Sequence, residues 1–280
     1  MTHPQAPTGL ARRGRRLSDQ ETEQRMLSAA RSMLAGSGLT VSLDHISFED
    51  VIRAADVSRS TVYRRWPYKD LFFSDLVKDL ARTATPTLLA GELALVRQIV
   101  ADHASWLETP GQRHSLIVEL FRQLSMLDFH ALAGSAEWRT YIALHATYLS
   151  LADDGLRGEV RAALAESERD HVARVAAAWE LLTHLFGYRL RPETGSTFED
   201  LAALLDATMR GLVIAAMSMP DRAERQTRAT PFGAASEAGW SLPALGLASI
   251  ASAFIEPDPD VQWDADRLAR VRQTLTTLGE

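Results

Sequence analysis

The segment from Arg59 to Lys69 concentrates side chains that bind phosphates and the edges of bases. It contains four cations and no anion, interleaved with hydroxyl groups. An arginine offers paired donors to guanine, and the hydroxyls of Ser, Thr and Tyr bond phosphates or base edges. The alternative is a solvated basic face that binds nothing. The composition favours a surface that reads double-stranded DNA.

Two short predicted helices position this segment. Ser47, with Asp50 three residues later, is a good N-cap for the first helix. Ser58 caps the second, which spans Arg59–Arg65, and a turn at residues 56–57 separates the two. Two short helices joined by a turn of a few residues predict a helix-turn-helix.

Longer amphipathic helices flank this pair. Ser18 and Glu21 form a capping box, and one apolar stripe follows it. The stripe consists of Met26, Leu27, Ala30, Met33 and Leu34. A fourth helix starts near Pro67 and ends at Pro86. We therefore predict an all-α fold whose N-terminal part, residues 18–82, is a three-helix helix-turn-helix DNA-binding domain, here called the head.

Residues 20–80 resemble the DNA-binding domain of the tetracycline-repressor (TetR) family. The matching stretches are TEQRMLSAA from Thr22, Gly38, VIRAADV from Val51, SRSTVYRRW from Ser58 and KDL from Lys69. The stretch from Gly38 to Val51 is a few residues longer than usual. Asp56 replaces the usual turn glycine, Trp66 replaces a common Phe, and Tyr68 replaces a Ser-like cap. Aspartate tolerates left-handed geometry, so the turn and the DNA-reading surface are expected to persist.

The resemblance implies a role for each matching residue. Ser47 and its helix N-terminus would meet a phosphate, and Tyr63 and Lys69 would bond the DNA backbone. Three residues at the start of the second helix would face base edges: Arg59, Ser60 and Thr61. Of Arg64 and Arg65, one would reach DNA while the other pairs elsewhere. The predicted DNA-binding residues of the head are thus Ser47, Ser58, Arg59, Ser60, Thr61, Tyr63, Arg64, Arg65 and Lys69.

The charge is divided unevenly along the chain. The net charge is −6. Residues 1–82 carry 13 Lys/Arg against 10 Asp/Glu, and the remainder carries 17 against 26. Residues 1–17 have the composition of a flexible basic arm, whose arginines are Arg12, Arg13, Arg15 and Arg16. Such an arm either contacts phosphates or a minor groove, or is a solvated tail. The total charge therefore does not exclude a nucleic-acid partner.

The sequence of residues 83–280, here called the body, predicts a series of helices that form a regulatory and dimerisation domain. Two of the predicted helices, 156–186 and 198–219, carry apolar or small residues at three- and four-residue steps. The predicted dimer-interface residues are Val175, Trp179, Leu182, Ala203, Ala207, Gly211 and Ala215. Ordinary packing within one chain is the alternative. The TetR resemblance implies a homodimer, which matches the need for two half-sites on a palindromic operator.

Aromatic residues and histidines accumulate in the middle helices of the body. They are Trp106, Phe121, Phe129, His130, Trp138, Tyr141, His145 and Tyr148. Each is, taken alone, an ordinary core residue; together they could line an apolar pocket with polar handles. The resemblance implies such a pocket, in which a small-molecule effector would bias the fourth helix and so the DNA-binding affinity.

Two other functions are alternatives to a DNA-binding regulator. Glu168 and His171 form an E-x-x-H, half the ligand set of a di-iron carboxylate site, but the sequence holds no second one. An all-helical metal-dependent enzyme is the first alternative. A helical interaction protein that no longer binds DNA is the second, and the four cations argue against it. We expect no catalytic residue, no cofactor and no metal.

The remaining composition excludes whole classes of protein. Zero cysteine excludes disulfides, zinc ribbons, iron–sulfur clusters and thiol catalysis. The uncharged stretch at residues 238–255 is interrupted by glycine, serine and proline, so we do not expect a membrane span there. The polar, proline-containing start lacks the apolar core of a secretory signal. We therefore expect a cytoplasmic protein.

Overall fold

The computed structural model describes residues 17–37, 46–82 and 89–277, and within these ranges the chain is predominantly helical. The all-α class predicted from the sequence is confirmed. The four arginines of the predicted arm and Gly38 lie outside the described residues. The helices of the head are α1 (Asp19–Ser37), α2 (Phe48–Ala54), α3 (Arg59–Arg65) and α4 (Lys69–Arg82).

Local capping bonds start the helices of the head where the sequence predicts them. The Ser18 amide donates to the Glu21 carboxylate at 2.8 Å, and the Glu21 amide donates to the Ser18 hydroxyl at 3.0 Å. The Ser47 and Ser58 hydroxyls each accept a backbone N–H three residues on, at 3.3 Å. Asp56, with φ +52°, adopts the left-handed conformation that ends α2. The turn therefore persists without a glycine.

A compact aromatic core ties the head to the body. Trp66 and Phe72 are fully buried, and their rings meet edge to face at 5.2 Å. The same apolar cluster continues into the body through Leu144 and Val160, because α4 packs along α8. Helices α4 and α8 therefore share one apolar core.

The helices of the body are longer than those of the head. They are α5 (Leu89–Asp102), α6 (Pro110–Gly134), α7 (Ala136–Ser150), α8 (Asp154–Leu185), α9 (Phe198–Ser218), α10 (Pro220–Glu224), α11 (Leu242–Phe254) and α12 (Ala265–Thr277). α5 ends at Asp102, and a 3-10 turn (Ala104–Leu107) follows it. The cap at Thr109 and Pro110 at the first helical position fix the start of α6.

Four short strands accompany these helices, although the sequence shows no strand series. β1 (Tyr188–Leu190) pairs antiparallel with β4 (Ile255–Pro257), and β2 (Thr227–Ala229) pairs antiparallel with β3 (Ala238–Trp240). Each strand has three residues, too few for an alternating pattern to show in the sequence. Residues 222–224 belong to α10, and residues 227–229 form β2.

The two strand pairs connect the C-terminal region to the centre of the body. They flank α11, which packs against α6 and α9 in the second apolar cluster. The link between β2 and β3 also touches α6: His114 Nε2 donates to the Phe232 carbonyl at 2.8 Å, and Ser115 donates to the Gly233 carbonyl at 2.9 Å. Residues 220–277 are thus an integral part of the body.

Replacing Gly233 by alanine is expected to destabilise the protein by about 2 kcal/mol. Gly233 has φ +80°, and a Cβ there would lie 2.7 Å from the His114 ring. Urea unfolding measures the change in free energy. Gly158→Ala is the control, since open space surrounds this helical glycine, and alanine should stabilise α8 by about 0.5–1 kcal/mol. Equal stability of the Gly233 variant and the wild type would contradict the contact.

Candidate nucleic-acid interface

Helix α3 turns one residue inward and most of its others outward. Val62 is fully buried, and so is Trp66, which follows the helix. The predicted base-reading residues Arg59 and Ser60 are exposed, as is Tyr63, whereas Thr61 is half-buried. The fold therefore presents to solvent most of the α3 side chains that were predicted to contact DNA.

Hydroxyl groups cluster at the N-terminus of α3. The Ser58 and Thr61 side-chain oxygens lie 2.8 Å apart, and Ser60 lies 3.2 Å from Ser58. Ser58 is already occupied as the helix cap, accepting the Thr61 amide. Ser60 is exposed and does not cap the helix, whereas Thr61 is half-buried.

Two side chains of α3 converge on a carboxylate of α2. Arg59 Nη2 lies 2.7 Å from Glu49 Oε2, and the Tyr63 hydroxyl donates to Glu49 Oε1 at 2.9 Å. The hydrogen bond to Glu49 raises the pKa of Tyr63. The sequence reasoning missed Glu49. The sequence does contain a signal for this contact, because Glu49 is an acid in the first turn of the helix that precedes the basic segment.

The two arginines at the end of α3 both have partners within the head. Arg64 Nη2 lies 2.5 Å from Asp19 of α1. Arg65 lies 3.2 Å from Glu23 and 3.5 Å from Asp75, with its guanidinium 5.1 Å from the Trp66 ring centroid. Exposed ion pairs of this kind contribute little free energy to folding.

The two predicted phosphate contacts outside α3 lie together. Ser47 and Lys69 are both exposed and border one groove of about 430 Å³ between the head and the body. Its apolar lining includes Phe73 and Leu156. Glu49 and Asp50 lie in the first turn of α2, two and three residues after Ser47, so two carboxylates stand at the helix end predicted to meet a phosphate.

A chain of polar contacts joins α3 to the body. The Trp66 indole donates to Asp75 at 2.9 Å, Asp75 pairs with Lys78 at 2.9 Å, and Lys78 pairs with Glu159 of α8 at 3.1 Å. Burial opposes ionisation of Asp75, but hydrogen bonds from Trp66 and Lys78 outweigh it and lower the pKa of this carboxyl group. The head is therefore coupled to α8 by ion pairs as well as by apolar packing.

The predicted pocket residues separate into different environments. Phe121, Phe129 and Trp138 are buried, whereas His130 is exposed. Along α7 the structure brings Trp138, Tyr141 and His145 together, with ring centroids 5.0 and 4.2 Å apart. Phe121 instead stacks on Trp179 at 4.7 Å. The Trp106 ring contacts the His103 ring at a tilted angle, and Tyr148 packs against the cluster that reaches the head.

An ion-pair network surrounds Tyr141. Arg210 of α9 donates to the Tyr141 hydroxyl and to Glu168, each at 2.7 Å, and to Asp206 at 3.1 Å. Asp206 also lies 2.7 Å from His171 Nε2. Burial is the main cause that raises the pKa of Tyr141 to about 12. The predicted aromatic site therefore adjoins a polar cluster on α8 and α9.

Glu168 and His171, the residues of the E-x-x-H motif, are both engaged in this network. Glu168 pairs with Arg210, and His171 pairs with Asp206. Across the residues that the structure describes, no group of three or more His, Asp or Glu side chains is arranged to hold a metal.

Helix α9 carries an exposed stripe of small residues along one face. The predicted interface residues Ala203, Ala207, Gly211 and Ala215 are all exposed, and the apolar Ile214 lies beside them. On α8, Val175, Trp179 and Leu182 are half-buried, and Trp179 and Leu182 pack against the core of the body. The stripe on α9 is thus open to a partner, while the predicted residues of α8 are partly engaged within the chain.

Helix α9 is also long and apolar enough, by length and composition, to cross a membrane. It is the one helix with this property in the part of the chain that the structure describes. Core helices of soluble proteins pass the same test. Near its middle, Asp206 and Arg210 form the ion pairs with α8, so this helix carries charges that a lipid environment would penalise.

Comparisons with known proteins point to transcriptional regulators. No family model matches the chain. Uncharacterised HTH-type transcriptional regulators of Mycobacterium bovis and Mycobacterium tuberculosis are 38% identical to it over 84 residues, which is 29% of this chain and 42% of the relatives. The chain therefore spans about two fifths of the length of the curated relatives it matches. A solved chain described as a TetR-family transcriptional regulator from Agrobacterium tumefaciens aligns with a TM-score of 0.38 at 18% identity, covering 72% of this chain and 90% of that one. The chain is thus similar to helix-turn-helix regulators, in agreement with the TetR resemblance of residues 20–80.

Proposed function

We propose that this chain is a ligand-responsive transcriptional regulator of the TetR type. In this proposal it represses by binding a palindromic operator as a homodimer, and a small, largely apolar molecule releases it. Residues 18–82 read DNA, residues 83–280 bind the effector and dimerise, and the arm at residues 1–17 adds phosphate contacts. One observation carries the proposal: α3 presents Arg59 and Ser60 outward from a head that is packed directly on α8.

Two features support a homodimer: the short reading helix and the exposed face of α9. One seven-residue helix contacts few bases, so affinity and specificity need a second half-site. The exposed small residues of α9 let a second copy of this helix approach closely. Two copies of α8 and α9 would form a four-helix interface, in which a symmetric pair of heads faces a palindrome.

The effector site is proposed around Trp138 and Tyr141. Stacked aromatic rings supply apolar surface, and Arg210 with its carboxylate partners supplies a few polar handles. A ligand there would displace α8 or α9, and α8 holds α4 through apolar contacts and through the Lys78–Glu159 pair. Movement of α4 would change the distance between the two heads and so weaken operator binding. In this proposal the protein acts in the cytosol, where its DNA lies.

Arg59→Ala and Lys69→Ala are expected to weaken DNA binding in different ways. A duplex selected from a random library by the wild-type protein serves as the probe, and fluorescence anisotropy at several salt concentrations measures the affinity. Arg59→Ala should cost about 1–3 kcal/mol and relax base preference. Lys69→Ala should weaken binding to all duplexes and lower the salt slope by about 1. Wild-type affinity in both variants would refute this assignment of α3 and α4.

A further inference from the structure

Glu49 contacts two side chains of the proposed DNA-reading face from the neighbouring helix. Arg59 and Tyr63 are one helical turn apart on α3, so a single carboxylate placed on α2 reaches both. One Glu49 oxygen accepts the Tyr63 hydroxyl at 2.9 Å, and the other lies 2.7 Å from Arg59 Nη2. Glu49 thus accepts one hydrogen bond from the reading face through Oε1 and forms an ion pair with it through Oε2.

Stability of the head does not explain this contact. The Arg59 and Glu49 side chains are 72% and 39% exposed, and exposed ion pairs contribute little to folding. Apolar contacts already hold α2 against α3: Phe48 meets the Tyr63 ring edge to face at 5.8 Å, and Val62 is fully buried. A carboxylate on a phosphate-binding surface also lowers the affinity for any DNA. The carboxylate therefore weakens general binding without stabilising the fold appreciably.

We propose that Glu49 is a positioning residue that sets the sequence specificity of the head. The inference rests on the proposed function, that is, on α3 reading DNA. Glu49 restricts Arg59 and Tyr63 to one orientation, so less side-chain freedom is lost when they meet the correct bases. A guanidinium has five N–H donors, and Arg59 uses Nη2 toward Glu49, which leaves donors for a base edge. The negative charge of Glu49 repels the phosphates of any DNA, and only the base contacts of the correct sequence compensate for this repulsion.

Glu49→Gln tests this role with a minimal change of shape. The amide oxygen still accepts the Tyr63 hydroxyl, but the charge that fixes Arg59 is gone. Affinity is measured for the library-selected duplex and for a random-sequence duplex of equal length. We expect binding to the random duplex to strengthen about threefold, and the ratio of selected to random affinity to fall about tenfold, because Arg59 loses its fixed orientation.

Asp50→Asn is the matched control. Asp50 lies in the same turn of α2 and carries the same charge, but it pairs with Arg53 at 2.7 Å. Its substitution removes an equal charge, so it should strengthen binding to both duplexes alike and leave their affinity ratio within twofold of the wild type. An equal loss of discrimination in both variants would show a bulk charge effect and would overturn the proposal.

A double-mutant cycle with Arg59→Ala decides whether Glu49 acts through Arg59. If it does, Glu49→Gln should lower discrimination little further once Arg59 is absent. Additive losses would overturn the role, as would a Glu49→Gln protein that discriminates like the wild type. Failure of the wild type to select any sequence would instead refute the proposed function itself, and the inference with it.

Discussion

Replacing Ala207 by glutamate is expected to make the protein monomeric and to weaken binding to the library-selected duplex by about a hundredfold or more. Ala207 lies in the middle of the exposed stripe on α9, between Ala203 and Gly211. In the proposed homodimer it faces a copy of α9 at close range. A carboxylate there would be buried without a partner and would face its own symmetry mate, which disfavours association strongly.

The loss of DNA affinity follows from the loss of the second head. In a dimer, binding of the first half-site raises the effective concentration of the second head near its own half-site. A monomer loses that gain, although its α3 is unchanged. Size-exclusion chromatography with light scattering should give the 30.9 kDa mass of one chain for the variant and twice that mass for the wild type.

Ala94→Glu provides the control for this experiment. Ala94 is also an exposed helical alanine, but it lies on α5, away from the stripe. Its substitution should leave both the mass and the DNA affinity unchanged. A wild-type protein that is monomeric in detergent-free buffer would refute the dimer, as would an Ala207 variant that remains dimeric. A wild type that dissolves only in detergent would instead favour α9 as a membrane helix.

The head could be predicted from the sequence because its signals are local. The Ser18–Glu21 capping box and the caps at Ser47 and Ser58 each involve residues three positions apart, and all form as predicted. The left-handed Asp56 likewise follows from the conformational preference of one residue. Signals of this kind can be recognised in a single sequence because they depend on no distant partner.

The missed features depend on residues that are distant in the chain. β1 pairs with β4 across more than sixty residues, and each strand alone is too short to be recognised. Glu49 was missed for a related reason. The predicted interface was inferred from the charges of residues 59–69, while the carboxylate that compensates Arg59 lies on α2. Trp179, predicted at the dimer interface from its periodicity, is stacked on Phe121 of α6. Periodicity identifies the apolar face of a helix but not which neighbour covers it.

Replacing Asp128 by asparagine is expected to stabilise the protein at alkaline pH by several kcal/mol. Burial, and then the nearby carboxylate of Glu92, raise the pKa of Asp128 on α6 to about 8. Burial also raises the pKa of Glu92 on α5. His171 and Asp206 complete the charged surroundings of the pair, on α8 and α9. We therefore expect this pair to keep a proton at neutral pH in the folded protein.

The direction of the pH dependence follows from that proton. The pKa of Asp128 is higher in the folded protein than the value of 3.8 expected for the unfolded chain. Between these two values the folded state binds more protons than the unfolded state. The free energy of unfolding should therefore fall as the pH rises, by up to about 1.4 kcal/mol per pH unit. This contribution is complete below about pH 4 and is lost as the pH passes about 8.

An asparagine at position 128 removes this dependence, because its amide can donate to Glu92 at every pH. Urea unfolding between pH 5 and pH 9 measures the effect. The free energy of unfolding of Asp128→Asn should exceed that of the wild type by an amount that increases with pH. Asp102→Asn should follow the wild-type slope, since Asp102 is an exposed carboxylate that accepts a hydrogen bond from Gln98. If the Asp128 variant also followed that slope, Asp128 would be ionised in the folded protein at neutral pH, and the buried acid pair would hold no proton there.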